Sequence, residues 1–314
     1  MITDVHAHYL PPEYVKRLAA LSERPPRIPP GAGQLQETVK RLEMMDAADV
    51  IRQVLSPMQG PYLEDASKGA EAAKVLNDCY AELVTKHPHR FAGFVSLPLP
   101  HVDPSLKEMA RGLDELGMAG VAMNCSVFDR STAEEEFEPL YEEMNRRGTT
   151  VFYHPVQNGI CSPMITDYGF TVSVGASLED SAIVLHHIAR KTLSRYPNIK
   201  MIVPHLGGII PMLLARLDNQ APQQHPDLTE KPSVTARRFY YDTVGHGSLA
   251  ALHCAVEAFG AEHLVTGSDY PVLLSFESYK QTFDYINGSG LSSVDIERIL
   301  HRNAAGVLGF ADDQ

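Results

Sequence analysis

The sequence predicts an α/β fold, a distorted (β/α)8 TIM barrel with terminal helices and inserted loops. Three observations lead there. Short β-branched or apolar runs alternate with amphipathic helical stretches along the chain, the pattern of repeated βαβ units. Four of these runs, 2–8, 152–155, 203–208 and 266–271, reach a His or Asp and then break at Gly or Pro, as a buried parallel strand running into a loop would. The length of 314 residues suits one barrel of about 250 residues or more with insertions, so 1–314 reads as a single domain.

Residues 2–8 form the first strand. Pro12 opens a short helix over 13–21. The Pro- and Gly-rich stretch 25–33 reads as a surface loop near the barrel mouth, flanked by Arg24 and Arg27, either of which could reach a substrate carboxylate. A helix over 36–48 places Val39, Leu42 and Met45 on one face. Strand two spans 51–56, a long helix 66–87, and strand three 90–97, stopped by Pro98 and Pro100. A helix over 104–116 is closed by Gly117, and strand four covers 120–124. The helix over 137–147 ends at Gly148, ahead of strand five at 149–154. The stretch 157–177 holds Tyr168 and Phe170 and has little periodicity, as lids and binding loops do. A helix over 178–196 leads to strand six at 200–205, and Gly207 and Gly208 lead into a helix over 210–219. Strand seven covers 239–244, ending near Asp242 and Thr243. A helix over 249–259 precedes strand eight at 264–269. Helices near 276–286 and 293–301 and a final turn with Asn303 and Leu308 finish the chain.

Composition narrows the partners. Hydrophobic residues make up 44% of the chain, enough for a large core. A formal net charge of -12 and a pI near 5.6 argue against nucleic acid and anionic membranes but leave an anionic small molecule open. No apolar run approaches a membrane span, and the first residues carry no basic or apolar leader region. The expectation is a soluble, cytoplasmic protein. The four cysteines lack CxxC spacing and read as reduced thiols. Tryptophan is absent, so an aromatic pocket wall must come from Tyr or Phe.

The strand ends carry the chemistry. On a strand, residues i and i+2 point the same way, so His6 and His8 form a two-nitrogen arm for a divalent metal. His154 adds a third nitrogen and Asp269 an oxygen. Three or four protein ligands with room for water is the pattern of a catalytic ion, most often zinc. His205, followed by two glycines, is a candidate general acid/base because its intrinsic pKa lies near neutrality; a fifth ligand or a structural His is the blander alternative. Ser268 and Tyr270 would point away from Asp269 and receive no role. The helical pair His186 and His187 reads as a surface or packing feature, and the run Glu134, Glu135, Glu136 as a solvated helix start.

Together these residues resemble the amidohydrolase superfamily, within it the branch of aminocarboxymuconate-semialdehyde and aromatic-acid decarboxylases. The resemblance runs through Asp4-Val5-His6-Ala7-His8-Tyr9-Leu10-Pro11, Arg90-Phe91-Ala92-Gly93, Ser96-Leu97-Pro98, His154-Pro155, Pro204-His205-Leu206-Gly207-Gly208 and Gly267-Ser268-Asp269-Tyr270-Pro271. It implies one divalent metal, zinc or else manganese, on His6, His8, His154 and Asp269. It also implies His205 as acid/base, with Asp269 as the other group able to manage the proton, and a homodimer. Binuclear members carry a bridging lysine at the end of strand four; this chain has Ala122-Met123-Asn124-Cys125 there, which favours one metal. Arg216 sits where the decarboxylase branch places an arginine that reaches the neighbouring subunit's substrate carboxylate; from the residues alone, a pairing with Asp218 or Asp242 is equally open. The implied activity is non-oxidative decarboxylation of a small carboxylic acid. A shorter first loop and Val156 after His154-Pro155, where muconate-semialdehyde enzymes have Trp, point to another aromatic or dienoic acid. Hydrolysis or hydration of a lactone, amide or ring-cleavage product is the alternative use of the same site, and a non-catalytic binding barrel is a third.

Overall fold

The computed structural model describes residues 1–22, 37–156 and 162–310. Arg24, Arg27 and their loop, Cys161 and the start of the 157–177 stretch lie outside the described residues. The barrel strands are β1 (Ile2–His8), β2 (Val50–Ser56), β3 (Phe91–Ser96), β4 (Gly120–Asn124), β5 (Thr150–His154), β6 (Lys200–Val203), β7 (Tyr240–Asp242) and β8 (Leu264–Val265). They form one eight-stranded sheet in sequence order, and neighbouring strands pair parallel throughout. The chain beyond β8 closes the ring onto β1: Val5 N–H donates to Thr266 C=O at 2.8 Å and Asp269 N–H to His6 C=O at 2.8 Å. The main helices between strands are α1 (Pro12–Leu21), α2 (Glu37–Ala47), α3 (Ala66–Lys86), α4 (Val102–Asp114), α5 (Glu138–Arg147), α6 (Ala176–Ala189), α7 (Ile210–Gln224) and α8 (Leu249–Phe259).

Several expected boundaries move. The helix expected over 178–196 breaks at Lys191, whose φ is 56°, and resumes as a short turn at Thr192–Arg195. Within 157–177 the described part contains a short helix, Pro163–Thr166, and a wide turn, Thr171–Gly175, that runs into α6. Strands six and eight stop before His205 and Asp269. Both residues adopt left-handed φ, 53° and 57°, which ends a strand and re-aims the side chain. Non-glycine residues pay for this conformation with strain and concentrate at functional sites.

The barrel interior is a layer of Val5, Val54, Phe94, Ala122, Phe152 and Ile202. Phe94 and Phe152 stack with centroids 5.5 Å apart. The register of β1 on β2 shifts between Asp4 and Ala7. Such a bulge breaks strict alternation, so Val5 joins the interior layer while His6 packs on Phe152, 5.0 Å between centroids.

Helix α2 departs from its expected face. Val39 is exposed, while Glu37, Arg41 and Met45 are buried. Arg41 donates to Gln53 Oε1 and to the carbonyl of His8, both at 2.8 Å. It is paired with Glu37 and lies over the Tyr270 ring at 4.3 Å. The pair is held inside with Arg41 Nε left without a hydrogen-bond partner, and it ties α2 to the end of β1. Arg41→Met leaves the Glu37 carboxylate buried without this cation, so a loss of about 3–5 kcal/mol is expected. Urea unfolding measures it; a loss below about 1 kcal/mol would mean that Glu37 escapes to water.

Candidate metal centre

β1 delivers His6 and His8, β5 delivers His154, and the turn after β8 delivers Asp269. One ligand atom from each lies within 4.8 Å of all the others. His6 Nε2 and His8 Nε2 are 3.2 Å apart, and Asp269 Oδ1 is 3.0 Å from His8 Nε2 and 3.4 Å from His6 Nε2. The three rings are buried. The buried Nδ1 of His154 has no hydrogen-bond partner.

Asp242, at the end of β7, orients the arm. Its Oδ2 lies 2.6 Å from His6 Nδ1, and its Oδ1 accepts from the backbone N–H of His205 at 2.8 Å and of Val244 at 3.0 Å. A carboxylate that accepts a hydrogen bond from Nδ1–H keeps the proton on that nitrogen and leaves the Nε2 lone pair for a cation, the usual support of a metal-bound His. Asp4 is buried beneath. It accepts from Ser268 Oγ at 2.7 Å, Tyr279 OH at 2.7 Å and Gln53 Nε2 at 3.0 Å. Ser268, given no role from sequence, thus anchors the turn that carries Asp269.

The electrostatics call for one positive charge. Burial disfavours the His6 imidazolium, but Asp242 and Asp269 outweigh it and push the ring up to about 10. Burial carries His154 well below the ordinary histidine value, and the neighbouring rings add to this. Burial would raise Asp269, yet its bonds to His6 and His8 hold it well below the usual carboxylate range. Two carboxylates around three buried imidazoles retain a proton that a divalent ion would displace. The donor set therefore fits such an ion.

Asn124 stands at the end of β4, and its amide is spent on the backbone. Nδ2 donates to the carbonyls of Met58 and His154, both at 3.0 Å, and Oδ1 accepts from Gly60 N–H at 2.8 Å.

His205 sits beside the cluster, its ring centroid 5.5 Å from that of His6. Its Nδ1 is 2.8 Å from Oδ2 of Asp180, a fully buried residue of α6. Burial opposes the His205 imidazolium, but Asp180 more than compensates, and the ring titrates above its ordinary value. Burial pushes Asp180 up to about 6, with His205 opposing. The pair titrates as a unit. Gly207 and Gly208 permit this turn. A Cβ on Gly207 would meet the Tyr241 ring at 2.7 Å, and one on Gly208 would meet the Ser177 carbonyl at 2.1 Å.

A cavity of about 930 Å³ is lined by His154, His205 and Asp269 together with apolar side chains. Arg216 is exposed on α7 and does not line it. Among the described residues Arg216 makes no ion pair. Neither suggested partner serves it: Asp218 accepts from Ser233, and Asp242 is committed to His6. His187 is buried, with Nε2 2.9 Å from Tyr153 OH, a packing role as expected.

The profile of the amidohydrolase family matches residues 3–310. The chain belongs to the amidohydrolase family. Among the relatives of this amidohydrolase is 2-amino-3-carboxymuconate-6-semialdehyde decarboxylase of Dictyostelium discoideum, 28% identical over 86% of this chain and 76% of the relative. A second is 6-methylsalicylic acid decarboxylase of Penicillium expansum, 27% identical over 90% of each. The crystal structure of a Polaromonas dihydroxybenzoic acid decarboxylase with bound manganese has the same fold: TM-score 0.81, 22% identity, covering 98% of this chain and 96% of that one.

Asp180 and Asp242 were not assigned from sequence. Asp242 carried a usable signal, a strand-end Asp after an apolar aromatic run. Asp180 carried none, since an acid inside a helix is ordinary.

Proposed function

We propose that this chain is a metal-dependent, non-oxidative decarboxylase of an aromatic or dienoic carboxylic acid, working in the cytoplasm. The observation that carries the reading is the buried His6, His8, His154 and Asp269 cluster with the His205–Asp180 pair beside it, opening on one cavity. The decarboxylase names of the relatives support it. His6, His8, His154 and Asp269 would hold one divalent ion, zinc or manganese. When bound, that ion supplies a positive charge that binds and polarises the substrate's oxygens. Asp242 keeps His6 in the tautomer that presents Nε2. Asp180 holds His205 by Nδ1 and leaves Nε2 for the cavity. In the reaction the bond between ring and carboxylate carbon breaks, its electron pair stays on the ring carbon, and CO2 leaves. That carbon takes a proton from His205, with Asp269 the second candidate donor. Arg216, exposed and without an ion pair among the described residues, is assigned to the substrate carboxylate of a neighbouring copy in a homodimer.

Product mass tests this. Metal-loaded protein is offered hydroxybenzoic, methylsalicylic and muconic acids and several lactones. Loss of CO2 that a chelator abolishes is expected, with KM raised in Arg216→Ala. Gain of water with the same metal dependence would replace the decarboxylase by a hydrolase or hydratase.

A further inference from the structure

The cavity has two unlike ends. His154, His205 and Asp269 make the reactive one. Away from them the wall is apolar: Val172 from the turn before α6, Ala176 from its start, Pro211 and Met212 from the first turn of α7, Cys254 from α8, and Phe276 beyond β8. Val172, Met212 and Phe276 are 56%, 77% and 67% exposed, so their apolar surface faces water until something covers it. Among the described residues no lysine or arginine lines the cavity; the polar side chains away from the reactive end are Ser173, Ser177 and His246. Ligand pockets typically run to about 300–1,000 Å³. At about 930 Å³ this one has room beyond a single ring.

We propose that the substrate is a monocarboxylic aromatic acid with an apolar substituent on the side away from its carboxylate, and that this wall selects it. The proposal builds on the decarboxylase reading, which assigns the acid's carboxylate to the metal end. On that reading the reacting carboxylate would be answered there by the ion and by Arg216 of a neighbouring copy. Among the described residues no lysine or arginine faces a second carboxylate there; set against apolar side chains in a chain of net charge -12, it would lose hydration for nothing. An alkyl group at the same place gains by covering the exposed wall.

The experiment measures binding and CO2 release separately, on full-length protein loaded with manganese. The ligands are salicylates bearing hydrogen, methyl, ethyl or propyl opposite the carboxylate, and hydroxyterephthalate, which has a second carboxylate there. Calorimetry should show affinity rising about fourfold per added methylene, with hydroxyterephthalate at least about tenfold weaker than the methyl compound. Val172→Arg, an exposed position, should reverse the order by favouring the dicarboxylate and weakening the propyl compound. Met212→Lys is the second variant should the first fail to fold. A flat alkyl series, equal or tighter binding of hydroxyterephthalate, or no binding by any compound overturns the proposal. An intact affinity trend without CO2 from any ligand would sink the decarboxylase reading and leave this inference standing.

Discussion

His6→Ala is expected to lose the bound divalent ion and, with it, roughly 10³–10⁴-fold in turnover. The ion's charge is worth several kcal/mol to a reaction that moves an electron pair off a carboxylate, and each 1.4 kcal/mol or so is tenfold. His6 is the most tightly built of the four donors. It is buried, held at Nδ1 by Asp242, and close to both His8 and Asp269. Its loss removes a ligand and leaves Asp242 buried without its partner. Asp269→Asn should act similarly, because it removes the cluster's own negative charge. Asp242→Asn is the graded case: all four donors remain, but the group that orients His6 is weakened, and metal affinity should fall by roughly 10–100-fold. Metal content by plasma mass spectrometry, read beside kcat, separates these outcomes. Full metal content and full activity in His6→Ala would remove the basis of the assignment.

His205→Ala is expected to cost roughly 10²–10⁴-fold in kcat, the usual contribution of a positioned acid or base, while metal content stays intact. Asp180→Asn should cost less, roughly 10²-fold, because the ring remains but loses its aim. The variant also carries a pH signature. Asp180 raises the His205 value above the ordinary one. Without that charge the ring gives up its proton at lower pH. If protonated His205 is the donor, the alkaline limb of the pH–rate profile should move to lower pH in Asp180→Asn, because less of the acid form survives at any given pH. A profile that stays in place, with kcat lowered alone, would assign Asp180 to packing. Unchanged turnover in His205→Ala would leave Asp269 as the proton donor.

Much of the site was legible because strand-end residues carry their own context. The His6–His8 spacing implied one face from the two-residue period of a strand. His154 and Asp269 stood at the ends of apolar runs broken by Pro, and the structure brings all four within 4.8 Å. What the sequence concealed depends on burial. Arg41 and Glu37 have the look of a solvated helix face and are among the buried residues, because they pair with each other and Arg41 also holds the His8 carbonyl. The strands stop short of His205 and Asp269 because their apolar runs end at Val203 and Val265 and the backbone turns left-handed at the two functional residues themselves. Periodicity has no term for that turn.

By itself, the sequence determined the alternating barrel and the order of its strands, and it singled out the four residues that the structure gathers within 4.8 Å. Those are local: a two-residue or 3.6-residue period, a strand-end His, a glycine where backbone must approach closely. Only the tertiary structure decided that Asp242 supports His6, that Asp180 holds His205, that Ser268 serves Asp4, and that the cavity's far wall is apolar. Each of these joins residues distant in the chain through a hydrogen bond or a shared surface. Such partners are chosen by which side chains the closed barrel desolvates together, and no spacing along the chain encodes that choice.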